Sequence, residues 1–238
     1  WTAGIAAQST PWGRLRDGTL EVTATDAAGN TATASRDFTV DTRGWVRFDE
    51  GPVTADDVVN AAEAAGGVTL AGRALAGSDV AVTLGEATLT VTADGDDAWS
   101  VTFGPDALPQ GDGPVTATAL ASSSAGNQTR AEKTFALDTA TSVTLDAVPA
   151  GGDGVVNAAE AGAGLVLSGT AEPGAAVEVA LGAATVAATA GDDGSWAAAI
   201  PADALPAGET TATARVTATD VRGNTAATSG EVVLDTVL

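Results

Sequence analysis

The sequence DDVVNAAE at residues 56–63 returns as DGVVNAAE at residues 153–160, 97 positions later. Each copy carries an aspartate, an asparagine and a glutamate at fixed offsets, and these side chains supply the oxygen ligands that a hard cation such as calcium prefers. The candidate ligands are Asp56, Asp57, Asn60 and Glu63 in the first copy and Asp153, Asn157 and Glu160 in the second. The recurrence predicts a modular fold, and the two copies are candidate cation sites that are not expected to be equivalent, with the ion between modules expected at residues 56–63.

Other landmarks repeat with the same spacing. The tripeptides VDT, LDT and LDT end at Thr42, Thr139 and Thr236, each 97 residues after the last. The turn DAAGN at 26–30 is matched by SSAGN at 123–127 and DVRGN at 220–224. We therefore predict three domains: residues 1–42 as the C-terminal half of a repeat, and residues 43–139 and 140–238 as complete repeats.

The third repeat contains short alternating apolar stretches separated by turn residues every 8–12 positions. Alternation of this kind predicts an all-β fold, and about 97 residues per module is the size of an immunoglobulin-like domain. We expect tandem seven-stranded β-sandwiches in a linear array. The expected strands A to G cover 142–146, 165–169, 176–181, 184–189, a stretch from Trp196, 210–219 and a stretch ending at Leu234, with helical turns inside 155–161 and 201–208.

Composition excludes several functions. With 31 acidic against 10 basic residues and a net charge of −21, the chain is a poor partner for nucleic acid or an anionic membrane. It has no cysteine and no histidine, which argues against catalytic triads and zinc sites, and we predict that it is not an enzyme. No apolar run approaches the roughly 18–20 residues that span a bilayer, so no membrane insertion is expected.

The motifs DxVVNAAEA, LxGxA, DGxW, TATDxxGNxA and LDT together resemble the bacterial immunoglobulin-like repeats of very large secreted adhesins, including the biofilm-associated and repeats-in-toxin classes. The resemblance spans the whole chain. It implies an extender segment of a cell-surface adhesin that is secreted by a type I system, supports adhesion or biofilm formation, and is stiffened by calcium at the interdomain joints. The implied partners are neighbouring repeats of the same chain, with self-association as a further option.

Strand alternation places the loop between strands A and B of one repeat beside the turn between strands F and G of the next. The D–E loop of the next repeat is expected at the same joint. For the joint between the two complete repeats, this adds Asp138 of the linker, Asp220 of the following F–G turn, and Asp192 and Asp193 of the following D–E loop to the 56–63 set. The joint near Asp41 is expected to be weaker or empty, because Ser123 replaces the turn aspartate. At 153–160 any ligands are expected to be largely local.

Several alternatives remain open at this stage. The 56–63 and 153–160 loops equally fit capped helical turns without metal, and the F–G turn fits a metal-free hairpin turn. Trp99 and Trp196, which repeat, are expected in the core rather than as sugar platforms. Trp12 and Trp45 have no counterpart and are expected to be surface or contact residues. The half repeat would be completed by a longer chain or by strand donation in a filament or surface layer. A glycan- or protein-binding module is the remaining alternative.

Overall fold

A computed structural model describes residues 14–148 and 153–237 of this protein. The chain forms two compact units, one of Trp1–Val53, Gly67–Pro109 and Pro114–Phe135 and the other of Thr54–Gly66, Gln110–Gly113 and Ala136–Leu238. The division at 1–42, 43–139 and 140–238 rests on sequence repetition and stays a prediction.

The all-β class is confirmed, because strands dominate and the helices are short. In chain order the elements are β1 (Leu15–Thr25), β2 (Thr31–Asp41), β3 (Val46–Phe48), β4 (Val58–Val59), α1 (Ala61–Gly66), β5 (Val68–Ala74), β6 (Asp79–Leu84), β7 (Ala87–Thr92), β8 (Ala98–Phe103), β9 (Gly113–Ser122), β10 (Gln128–Leu137), β11 (Val155–Asn157), α2 (Ala158–Ala163), β12 (Leu165–Thr170), β13 (Ala176–Leu181), β14 (Ala184–Thr189), β15 (Ser195–Ile200), β16 (Glu209–Thr219) and β17 (Thr225–Asp235). Two 3-10 turns cover Pro105–Ala107 and Ala202–Ala204.

The second unit contains a sandwich of two sheets, one ordered β11-β17-β16-β13-β14 and the other β12-β15. Its core follows the predicted period of two, because alternate side chains on each strand point inward. On β13 the buried residues are Val177, Val179 and Leu181, while the intervening Glu178 is exposed. The buried residues of the two sheets form one cluster that contains Trp196 together with the small side chains of Ala198, Ala214 and Ala218.

The first unit repeats this arrangement with a β3-β5-β8 sheet and a sheet in which β10, β9, β6 and β7 follow one another. Strand β10 continues into the second unit, where Ala136 and Leu137 pair in parallel with Val58 and Val59 of β4. The core again holds a tryptophan, Trp99, whose ring meets Phe48 edge-on at a centroid distance of 5.3 Å.

The repeated tryptophans are core residues, as predicted. Trp99 and Trp196 are each 3% exposed, and their buried indole nitrogens have no hydrogen-bond partner among the described residues. Each ring lies against a glycine of the neighbouring strand: a Cβ on Gly169 would stand 2.8 Å from the Trp196 ring. Trp45 is 36% exposed, in line with the surface position predicted for it. Trp12 lies outside the described residues.

Strand A is where the prediction was wrong. Instead of a strand over 142–146, the structure has an isolated bridge from Val143 to Ala171, and strand β11, which was predicted as part of the loop, pairs in parallel with β17. The first strand is thus divided between the two sheets. Local alternation could not show this, because pairing with β17 depends on a partner about 78 residues away, from Val155 to Val233.

The half repeat forms a regular hairpin of β1 and β2, paired from Leu15↔Asp41 to Thr25↔Thr31. The same strands of the third repeat, 194 positions later, pair over the equivalent range. Leu20 and Phe38 are 40% and 38% exposed, whereas the equivalent Ala214 and Val232 are fully buried. Within the described residues, the hairpin therefore exposes two positions whose equivalents lie in the core of the third repeat.

Candidate functional site: the junction before the third repeat

The turn between β16 and β17 is shaped by its first and last residues. The carboxylate of Asp220 accepts hydrogen bonds from the backbone N–H groups of Arg222 and Asn224, at 2.8 and 2.9 Å. Gly223 adopts a φ of 90°, a conformation that favours glycine. The DVRGN sequence thus builds a rigid turn that holds the Asn224 side chain in a fixed direction.

Asn224 joins three segments of the second unit. Its Nδ2 donates to the carbonyl oxygen of Asp138 at 2.8 Å, to the Asp138 carboxylate at 3.0 Å and to the Asp220 carboxylate at 2.8 Å. Its Oδ1 accepts the N–H of Ala61 at 2.8 Å. The side chain is almost fully buried, since the residue is only 4% exposed. We call this set, Asn224 with Asp138, Asp220 and Ala61, the asparagine clamp.

The 56–63 loop contacts the same turn through other groups. Asp56 binds the N–H of Val58 with one carboxylate oxygen and the Arg222 guanidinium with the other, at 3.1 and 2.8 Å. The amide of Asn60 donates to the carbonyl oxygen of Arg222 at 3.0 Å. The predicted placement of this loop beside the F–G turn of the next repeat is therefore confirmed.

Asn60 and Glu63 serve mainly as helix caps. Asn60 accepts the N–H of Glu63 at 3.0 Å, and Glu63 accepts the N–H of Asn60 at 3.0 Å. Asn157 and Glu160 form the same capping box at the start of α2. Asp153 accepts the N–H of Val155 at 2.9 Å. The capped helical turn, one of the two interpretations left open by the sequence, is the arrangement that these side chains adopt.

Asp57 has a backbone role. Its φ of 64° is left-handed, as is that of the equivalent Gly154 at 84°, and aspartate tolerates this region better than most residues. Its carbonyl oxygen accepts the N–H of Ala136 at 3.2 Å. Asp57 therefore helps to join β4 to β10.

An equivalent junction lies in the first unit. Asn127 donates to the carbonyl oxygens of Asp41 and Arg43, at 2.9 and 3.0 Å, and Ser123 replaces the turn aspartate by accepting the N–H of Asn127. Hydrogen bonds from the Arg43 side chain and backbone lower the pKa of Asp41 to about 2. The linker aspartate here is neutralised by its own neighbour in the chain.

The linker of the second unit is surrounded by carboxylates. Burial, followed by the charges of Asp220, Glu172 and Asp112, raises the pKa of Asp138. Asp112 accepts the N–H of Thr139 at 2.7 Å, and Glu172 accepts the Thr141 hydroxyl at 3.1 Å. Burial opposes ionisation of Asp220, but hydrogen bonds from Asn224 and from the N–H groups of the turn outweigh it and lower its pKa. Asp138 is thus the carboxylate of this junction whose ionised form is disfavoured by burial and by its acidic neighbours, with Arg222 acting in the opposite direction.

Only part of the predicted ligand set is brought together. Asp138 and Asp220 share the Asn224 amide, whereas Asp56, Asn60 and Glu63 are committed to other partners, and Asp153, Asn157 and Glu160 belong to the separate 153–160 loop. Within residues 14–148 and 153–237, no three acidic side chains are grouped as metal ligands. Sequence reasoning missed Asn224, Glu172 and Asp112. Asn224 could have been found, because Asn30, Asn127 and Asn224 recur every 97 residues.

Acidification should affect the junction through Asp138. The folded-state pKa of Asp138 is raised above the ordinary value of 3.8, so the folded state binds the proton more tightly than the unfolded state does. The stabilisation from protonated Asp138 is lost as pH rises through the folded pKa. Asp138→Asn, which keeps an acceptor for Asn224, should therefore gain stability relative to the wild type between pH 4 and pH 7 in urea unfolding.

Asp26→Asn is the control, because its stability relative to the wild type should change with pH in the opposite direction. Hydrogen bonds from the side chain and backbone of Asn30 lower the pKa of Asp26, so its contribution is present above the unfolded pKa and lost as pH falls through the folded pKa. Because the folded pKa of Asp26 lies below the ordinary value of 3.8, this variant should lose stability relative to the wild type as pH rises to about 4, and its difference from the wild type should change little between pH 4 and pH 7. Equal pH profiles for Asp138→Asn and the wild type would contradict the assignment of the repulsion to Asp138.

The family of the chain follows from two sequence matches. Residues 144–236 match a family profile described as a bacterial Ig-like domain, and residues 6–42 match a second profile with the same description. Together the matches cover more than half of the sequence. The chain belongs to the bacterial Ig-like domain family, and the resemblance stated from the motifs is confirmed.

Solved structures of bacterial adhesins are similar to this chain. One, from a study of host cell surface retention of a 1.5-MDa bacterial ice-binding adhesin, is 29% identical over 96% of this chain and 77% of its own length, with a TM-score of 0.49. Another, described as a Ca²⁺-stabilized adhesin that helps an Antarctic bacterium reach out and bind ice, is 31% identical over 93% of this chain and 57% of its own, also with a TM-score of 0.49.

A third similar structure is a tetra-tandem repeat in the extending region of a large adhesion protein, 24% identical over 99% of this chain and 60% of its own, with a TM-score of 0.36. The chain therefore spans less than two thirds of two of these relatives. No curated protein sequence matches it. Among the described helices, none has the length and apolar character needed to cross a bilayer.

Proposed function

We propose that the chain is an extender segment of a secreted bacterial cell-surface adhesin, in which tandem repeats hold a binding region away from the cell and support adhesion or biofilm formation. The adhesin role and type I secretion come from the motif resemblance. The asparagine clamp is the observation that supports a spacer role. The nearly buried side chain of Asn224 forms hydrogen bonds to the linker, to the preceding loop and to its own turn. A spacer requires joints of this kind, and catalysis does not.

The clamp restricts the joint through geometry. Asn224 contacts both the carbonyl oxygen and the carboxylate of Asp138, so rotation of the linker at this residue would break two hydrogen bonds at once. Arg222 adds an ion pair to Asp56 at 2.8 Å, which is exposed and expected to contribute little by itself. The linker also lacks a glycine- or serine-rich stretch, so little free swinging between repeats is expected.

Calcium would act on the carboxylates around the linker. Two carboxylates of the predicted set, Asp138 and Asp220, lie together on the Asn224 amide, and burial and the charge of Asp220 raise the pKa of Asp138. A bound divalent cation would neutralise that repulsion. The chain's own residues already hold the joint through Asn224, so the ion is proposed to strengthen the joint rather than to create it.

Thermal melting with and without calcium tests this part of the proposal. At a calcium concentration about tenfold above Kd, stabilisation of about 1.4 kcal/mol is expected, which corresponds to a rise in Tm of roughly 3–5 °C. The Asp138→Asn variant should show a smaller rise, and Asp26→Asn, at a turn distant from this group in sequence, should respond like the wild type. An identical Tm in calcium and in chelator would contradict calcium stiffening.

A second candidate is assembly by strand complementation in a filament or surface layer. The observation that favours it is the exposed face of the β1–β2 hairpin, where Leu20 and Phe38 occupy positions that are core in the third repeat. Association that increases with concentration and disappears in the Phe38→Ser variant would support it. Light scattering that shows one monomeric species over the whole concentration range would exclude it.

A further inference from the structure

The 153–160 loop has the local structure of the 56–63 loop. Asp153 binds the N–H of Val155 at 2.9 Å, as Asp56 binds that of Val58 at 3.1 Å. Both loops continue into a six-residue helix that is capped by an asparagine and a glutamate. The outward-facing groups of the two loops are therefore positioned in the same way by the chain itself.

The two loops differ in what those groups contact. At the first loop, the second carboxylate oxygen of Asp56 binds the Arg222 side chain, the amide of Asn60 binds the Arg222 carbonyl and the N–H of Ala61 binds the Asn224 side chain. The equivalent groups are those of Asp153, Asn157 and Ala158. In the part of the chain that the structure describes, these groups have no such partner.

We propose that the surface formed by Asp153, Asn157, Ala158 and Asp235, here the Asp153 surface, binds the F–G turn of a further Ig-like repeat that carries the sequence DxRGN. This inference rests on the proposed spacer function. Its evidence is that the equivalent set, Asp56, Asn60, Ala61 and Asp138, holds a turn of that sequence in the same molecule. Asp153 is the residue that selects for arginine at the third position of the turn.

The selection follows from where each junction obtains its positive charge. At the first junction the turn is SSAGN, without arginine, and the linker supplies Arg43, which pairs with Asp41 at 2.9 Å. At the second junction the linker position equivalent to Arg43 is Ala140, and the turn supplies Arg222.

After Asp235 the corresponding linker position is Val237, which has no charge. The third junction therefore resembles the second, where the turn supplies the cation that pairs with Asp56, the counterpart of Asp153. A repeat with alanine at the third turn position would leave the Asp153 carboxylate without a cation.

The test is a chain extended by one repeat, in which a second copy of residues 140–238 follows Thr236 and replaces Val237 and Leu238. The added copy then has the linker spacing of the third repeat, with the uncharged Ala140 at the linker position. Amide hydrogen exchange is measured by NMR at Ala158 and Ala61. One new hydrogen bond and the exclusion of water should slow exchange at Ala158 about tenfold relative to the parent chain. Arg222→Ala in the added copy, or Asp153→Asn in the original repeat, should reverse most of this protection.

Arg215→Ala in the added copy is the matched control, because it removes the same charge from the exposed surface of β16 and should leave Ala158 protected. Unchanged exchange at Ala158 on extension would overturn the proposal, and so would equal effects of the two arginine variants. Ala61 separates this outcome from failure of the spacer function. If Ala61 is protected in the parent chain, the existing clamp holds; if it is not, the spacer proposal itself fails.

Discussion

Replacing Asn224 by alanine is expected to reduce the free energy of unfolding by about 3 kcal/mol, because each lost hydrogen bond contributes about 1 kcal/mol and the buried partners are left unsatisfied. The affected groups are the N–H of Ala61 and the oxygens of Asp138 and Asp220, all within hydrogen-bond distance of the Asn224 side chain. Urea unfolding followed by circular dichroism measures the change.

The matched control is Asn30→Ala in the half repeat. Asn30 has the same place in its turn and its side chain donates to Asp26 at 2.8 Å, but the residue is exposed. Its loss should cost less than about 1 kcal/mol. Equal costs at Asn30 and Asn224 would mean that the turn itself, and not the clamp to the linker, accounts for the stability.

Replacing Trp196 by alanine is expected to cost about 3–5 kcal/mol, as for other large-to-small substitutions of buried aromatic residues. Trp196 is 3% exposed and fills the space over Gly169 between the two sheets. A loss of this size is a large share of the 5–15 kcal/mol that stabilises a typical domain. Circular dichroism should therefore show the third repeat melting well before the second.

Two other variants separate packing from polarity. Trp45→Ala removes an equally large side chain that is 36% exposed, and it should cost clearly less than Trp196→Ala. Trp196→Phe keeps much of the volume and removes an indole N–H that has no partner among the described residues, so its cost should lie near 1–2 kcal/mol. Equal costs for the two alanine variants would contradict the assignment of Trp196 to the core.

The fold was largely predictable because local alternation and turn residues agree with it. Strands β13 and β14 have the predicted bounds, Ala176–Leu181 and Ala184–Thr189, since glycines and prolines mark their ends. The divided first strand was not predictable, because a three-residue strand such as β11 carries no period of its own. Its place is set by pairing with β17, which is a tertiary contact.

The candidate site was predictable in position but not in chemistry. Alternation of the strands placed the 56–63 loop beside the 220–224 turn, and the ion pair between Asp56 and Arg222 confirms this. The nature of the contact was missed, because the side chains of Asn60 and Glu63 serve their own helix. A carboxylate or amide that fits a metal site fits a helix cap equally well, and only the distances between segments distinguish the two.

The central claim is that the clamp fixes the linker, and a distance distribution across the joint tests it most directly. The chain has no cysteine, so spin labels attach only to cysteines that are introduced. We place these at Ala65→Cys on α1 and Thr185→Cys on β14, both in the second unit. Double electron–electron resonance should give one narrow distance distribution, and Asn224→Ala should broaden it whereas Asn30→Ala should not. A broad distribution in the parent chain, or no broadening in Asn224→Ala, would contradict the claim.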